Sequence, residues 1–154
     1  MIKHLLIIIL FGGSLTAQSK EEIDKSCLTD LFEEGKLLVV KRDARSIIGY
    51  HLGESVIGKN NDTVYSISDF VVVSIIRMPG SRLAVLLQRD SLYLIVSNLS
   101  EVFHVSGDLI MTDQAIGIAF QNENELPQVH IRFNVGIKEE PPNLLCTILS
   151  YTQN

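Results

Sequence analysis

The chain has 154 residues, of which 46% are apolar and 20% charged, with a formal net charge of −5. That length suits one domain with a substantial core, and the apolar content excludes a disordered chain. An acidic balance with no Lys/Arg cluster excludes nucleic acid and anionic membrane as expected partners.

Lys3 and His4 precede the apolar run Leu5–Phe11, which is followed by Gly12-Gly13-Ser14-Leu15-Thr16-Ala17. A short basic segment, a compact apolar segment and a small terminal residue read as a secretory signal peptide over residues 1–17, cut after Ala17. The run is too short to span a bilayer. A single domain over residues 18–154 is therefore expected, secreted or periplasmic, with no stable membrane insertion after cleavage. Loss of Lys3 takes the charge to −6 (12 − 18). The two cysteines, Cys27 and Cys146, lie near opposite ends of that domain. In an oxidising compartment they pair as one disulfide, or they stay as two buried thiols; geometry decides between the two.

Ser19-Lys20-Glu21-Glu22 has the form of a capping box. Ile23, Cys27, Leu28, Leu31 and Phe32 then recur at helical spacing and Gly35 stops the pattern, which predicts a helix over Lys20–Glu34. From Leu37 the pattern becomes strand-like through Lys41. It resumes over Ile47–Leu52 and in a short Ser55–Gly58 piece.

The centre of the chain, Thr63–Ser97, holds three runs, Phe70–Ile76, Leu83–Leu87 and Leu92–Val96, rich in β-branched and aliphatic residues. Met78-Pro79-Gly80-Ser81 and Arg89-Asp90-Ser91 separate them as turns, the second as a hairpin. Leu83, Val85 and Leu87 on one face and Ala84 and Leu86 on the other predict cover on both sides. Another strand is expected between Glu101 and Met111, with a bend at Gly107-Asp108. Val129, Ile131, Phe133, Val135 and Ile137 alternate with His130, Arg132, Asn134, Gly136 and Lys138, the pattern of a half-buried strand. A preceding strand at Ala115–Phe120 is expected to pair with it as a hairpin. Residues 138–143 read as a solvated connector and Leu144–Tyr151 as a last strand. The fold class is α+β: an N-terminal helix packed on a mostly antiparallel sheet of about six to nine strands, as a barrel, a sandwich or an open sheet.

Few residues point to chemistry. Matching faces across the expected hairpin sets Ala119 near His130, Gly117 near Arg132 and Ala115 near Asn134. Small residues beside an imidazole, a guanidinium and an amide predict a shallow recess for an anionic or polar ligand, lined by Gly117, His130, Arg132 and Asn134. His51 and His104 have no metal-ligand spacing with it, so neither a metal nor another cofactor is expected. No Gly-x-Ser-x-Gly and no Cys beside a base is present, so no catalytic residue is assigned. Asn61-Asp62-Thr63 and Asn98-Leu99-Ser100 fit the glycosylation pattern and are expected in turns. The reading with fewest assumptions is a small exported non-enzymatic binding or protein-interaction module with an unknown protein or small-molecule partner. Its rivals are a β-barrel carrier of an apolar small molecule and a small secreted hydrolase using His130, Arg132 and an acid contributed from elsewhere.

Overall fold

The computed structural model describes residues 27–38, 54–58, 61–140 and 142–151. The leader, the N-terminal part of the expected helix, the Ile47–Leu52 strand and His51 lie outside them. The described residues form one sheet of ten antiparallel-paired strands, open rather than closed into a barrel. The strands are β1 (Gly35–Leu38), β2 (Glu54–Gly58), β3 (Thr63–Tyr65), β4 (Phe70–Met78), β5 (Arg82–Arg89), β6 (Leu92–Val102), β7 (Leu109–Ile110), β8 (Ala115–Ala119), β9 (Gln128–Val135) and β10 (Lys138–Glu140). The main order is β1-β2-β9-β6-β5-β4-β7. Strand β10 adds to β9, and β8 bonds both β3 and the far half of β6.

The three central apolar runs are β4, β5 and β6, a meander turned at Pro79–Ser81 and at Asp90-Ser91. Gly80, Ser81 and Asp90 all adopt left-handed backbone there, as tight antiparallel turns require. In β6, Leu92, Leu94 and Val96 enter the core, and their rungs continue into β9 through Leu94–Phe133 and Val96–Ile131. Leu28, Leu31, Phe32, Leu145 and Leu149 close over this face. The opposite face stays partly open, with Ile76 45% and Met78 42% exposed, so the expectation of full cover on both sides does not hold.

Two helical expectations are corrected. Residues Cys27–Leu31 form a 3-10 helix and the chain is already in β1 at Gly35, so among the described residues the expected Lys20–Glu34 helix is not supported. The regular helix is instead α1 (Pro142–Tyr151), where a strand is expected from sequence. Pro142 suits the first helical position, and Leu145 and Leu149, four apart, are its buried residues. Over so short a run, the β-branched and aliphatic content of Leu144–Leu149 hides that spacing. Residues 138–140, expected in a connector, form the edge strand β10.

Cys27 and Cys146 are joined, Cα to Cα 5.5 Å, and the bond ties the 3-10 helix to α1 across 119 residues of chain. Both sulfurs pack on the core, so covalent and hydrophobic closure coincide. A loop of that length stabilises by about 4–5 kcal/mol through the unfolded chain. Replacing both cysteines with serine should lower stability by about 2–5 kcal/mol, seen as a lower urea midpoint. An unchanged midpoint would mean that the clasp contributes nothing.

Candidate functional site

Strand β9 lies between β2 and β6, and one rung crosses all three. Ser55 and Ser97 are both register partners of His130. Partners on a rung share a face, so these three side chains stand together on the partly open side. Ser55 is buried, and its Oγ lies 2.7 Å from His130 Nδ1, which satisfies the hydroxyl and fixes the ring. The Ser97 hydroxyl donates to the His130 carbonyl at 3.2 Å.

Next to this rung β6 is irregular. Ala84 pairs with Ser97 and Leu83 with Leu99, so Asn98 is an inserted residue, a bulge with φ +68°. Asparagine tolerates that region better than most residues. Its amide donates to the Gln128 carbonyl at 2.6 Å and its oxygen accepts from Arg82 Nη1 at 3.4 Å. Met78, Pro79, Arg82, Ser97, Asn98 and His130 line a cavity of about 180 Å³.

Surrounding protein disfavours the charged form of His130, although the ring remains solvent-accessible, and the Arg82 charge adds to this. Together they hold its pKa below the ordinary 6.5. His130 is therefore neutral at pH 7, when one ring nitrogen carries the proton and the other accepts.

Of the residues expected to form a recess, the strand brings His130 and Arg132 onto one face, and Gly117 does not join them. Strands β8 and β9 are not paired: β8 bonds β3 and β6, while β9 bonds β2, β6 and β10. Gly117 is packed against the backbone of β6, and a Cβ there would lie 2.1 Å from the Glu101 carbonyl oxygen. Arg132 is held by Glu139 through two bonds, Nε to Oε1 at 3.1 Å and Nη2 to Oε2 at 3.2 Å. Asn134 lies two residues further on, with Tyr93 and Glu139 as register partners. Arg82, Asn98 and Ser97 escape sequence reasoning because they come from two other strands. The one local signal, a polar Asn98 inside an apolar run, matches a glycosylation triplet and reads as a turn. His104 is turned onto the Ala115 carbonyl at 2.8 Å, with Asp108 3.8 Å away.

No family model and no curated protein matches the chain. Solved structures do. A zinc-containing peptidase from Vibrio cholerae superposes with a TM-score of 0.54 at 17% identity, over 68% of this chain and 33% of its own. Lysostaphin, an antimicrobial peptidase from Staphylococcus simulans, superposes with a TM-score of 0.61 at 17% identity, over 80% of this chain and 53% of its own. A chain of the SpoIIIAH–SpoIIQ complex does so with a TM-score of 0.58 at 18% identity, over 73% of this chain and 93% of its own. The chain thus spans about a third and about half of the lengths of the two peptidases.

The fold resembles that of lysostaphin and of the M23 protein EnpA from Enterococcus faecalis. This overturns the reading of a non-enzymatic binding or interaction module, which rested on missing catalytic motifs, while the sheet is one that peptidases use. The barrel carrier of an apolar ligand is not supported either, since among the described residues the sheet is open and not closed into a barrel.

The zinc of one neighbour raises the question of whether this chain has a matching donor set. Zinc takes three or four His, Cys, Asp or Glu ligands. Among the described residues no such group of three assembles, both cysteines are in the disulfide, and an arginine stands two residues from His130 on its strand. The described residues do not fit the metal.

Two outcomes test this geometry. The His130 imidazole should titrate below pH 6.5 by NMR, and Arg82→Gln should move that midpoint upward. Gly117→Ala should destabilise the fold by about 1–3 kcal/mol in urea unfolding, because backbone must move, with no change in the His130 titration.

Proposed function

We propose that this chain is a hydrolase domain acting on peptides, with the His130 cavity as its reaction site. The observation that carries the reading is the Ser55–His130 hydrogen bond, 2.7 Å long, which fixes a neutral imidazole in a cavity on a sheet of peptidase type. A ring that donates its Nδ1 proton to Ser55 leaves Nε2 as the acceptor for the cavity. In that role Nε2 takes a proton from a water molecule as the water attacks a peptide carbonyl. The resulting imidazolium returns the proton to the departing amine, so one water and one peptide bond give an amine and a carboxylic acid, whose remaining proton is then lost to solvent. The Arg82 charge favours the anion that forms on the carbonyl oxygen. Arg132, tied to Glu139, positions the strand without reaching the reacting atoms.

The disulfide, together with the leader read at residues 1–17, supports an exported protein in an oxidising compartment. Among the described residues no helix is long and apolar enough to cross a membrane.

The test is a mixed peptide library incubated with the wild type and with His130→Ala, with new termini counted by mass spectrometry. Wild type should generate defined cleavages, and His130→Ala should lower their rate by about 10²–10⁴-fold. Because the base must be unprotonated, kcat/KM should rise with pH through a midpoint below 6.5. Absence of cleavage by folded wild type from pH 5 to 9, or equal rates in the variant, overturns the reading.

A further inference from the structure

Arg82 opens β5 beside the β4–β5 turn, and two contacts aim its guanidinium. Nη1 donates to Asn98 Oδ1 at 3.4 Å, and the group stands 5.6 Å from the centre of the Phe120 ring. Neither contact neutralises it. Arg132 is satisfied by the Glu139 carboxylate, whereas among the described residues Arg82 has no carboxylate partner. A guanidinium has five N–H donors in a planar fork matched to a carboxylate, and the Asn98 bond occupies one. The strained Asn98 bulge holds this geometry, and strain of that kind concentrates at ligand sites.

The cavity beside it holds about 180 Å³, less than the roughly 300–1,000 Å³ of a site for a whole drug-sized ligand. Its space suits one small residue or the end of a chain. Met78 and Pro79 give an apolar wall, while Ser97, Asn98 and His130 give polar ones.

We propose that Arg82, positioned by Asn98 and Phe120, is a carboxylate-binding subsite of this cavity and selects peptides carrying a carboxylate there. The carboxylate is a C-terminus or an acidic side chain. The choice of a peptide as its bearer rests on the hydrolase reading; the recognition of the anion does not. A seated anion also reports on itself through His130, which shares the cavity. Among the described residues, the polar and charged groups around that ring are Ser55 from β2, Ser97 and Asn98 from β6, Arg82 from β5 and, on its own strand, Arg132 with its Glu139 partner. An added negative charge beside Arg82 favours the imidazolium, so the His130 midpoint rises on binding.

The experiment titrates three probes into folded protein and follows the His130 ring by NMR. They are an acetylated alanine pentapeptide with a free C-terminus, the same peptide as its C-terminal amide, and that amide with glutamate at its centre. At least one acid probe should bind about ten- to a hundredfold more tightly than the plain amide and raise the His130 midpoint. Preference for the free C-terminus assigns terminal recognition, and preference for the glutamate probe assigns an acidic side chain. Arg82→Gln should abolish the preference, while Arg82→Lys restores part of it. Equal affinity for all three probes, no binding by any, or an undiminished preference in Arg82→Gln overturns the proposal. The readout is binding: selective binding without cleavage removes the hydrolase reading and leaves the subsite, and cleavage without selectivity does the reverse.

Discussion

One backbone position lets the sheet hold together as it does. Along one edge β6 pairs with β9 as far as Ser97 and with β8 from Leu99 onward, and Asn98 is the residue between. A strand passing from one partner to another must leave groups unbonded at the junction unless something fills them. Asn98 fills them from its own atoms. Its carbonyl accepts the Phe120 amide at 2.7 Å from the end of β8, and its side-chain amide reaches Gln128 at the start of β9. The left-handed backbone costs of order 1–3 kcal/mol and is held because both flanking strands over-determine it. Arg82 bonds the same side chain, so a structural junction also positions a cation in the cavity.

The sheet is asymmetric as a consequence of where its cover comes from. The 3-10 helix and α1 come from opposite ends of the described chain, and the Cys27–Cys146 bond fixes them to each other over one face. With the aliphatic residues of β6 and β9 turned to that side, the alternate residues of the same strands stand on the other: Ser97, His130 and Arg132. The core therefore selects which residues remain available for chemistry. Strand period alone puts the polar members of β9 there.

That asymmetry explains what the sequence could and could not convey. The three central runs and the alternation from Val129 to Val135 are local, and the strands they predict are present. His130 and Arg132 stand out for the same reason. Pairing is non-local, and the hairpin expected between Ala115–Phe120 and Val129–Ile137 fails because the two strands lie end to end along the same edge of β6, β9 on its first half and β8 on its second. With the wrong partner, Gly117 reads as a ligand-site residue although it fills a close approach of two backbones. Arg82 and Asn98 cannot be assembled with His130 until β5, β6 and β9 are in register. The helical difference at the C-terminal end has another source: α1 is short, and its state is decided by docking on the core rather than by its own period.

Electrostatics link the remaining features of the cavity. The Arg82 charge that makes a proton on His130 unfavourable makes any cation beside it unfavourable, a divalent metal more so. The same field favours an anion, whether formed on an attacked carbonyl oxygen or carried in by a substrate. Arg132 is neutralised by Glu139, whereas among the described residues Arg82 has no carboxylate partner, so positive charge is concentrated on the Arg82 side of the cavity. A neutral imidazole and a guanidinium on one small cavity are thus a single electrostatic arrangement: burial, with the cation adding to it, keeps the base unprotonated, and an anion that seats on the cation raises the proton affinity of the base. In a peptide hydrolase this couples substrate recognition to the strength of the base that acts on it.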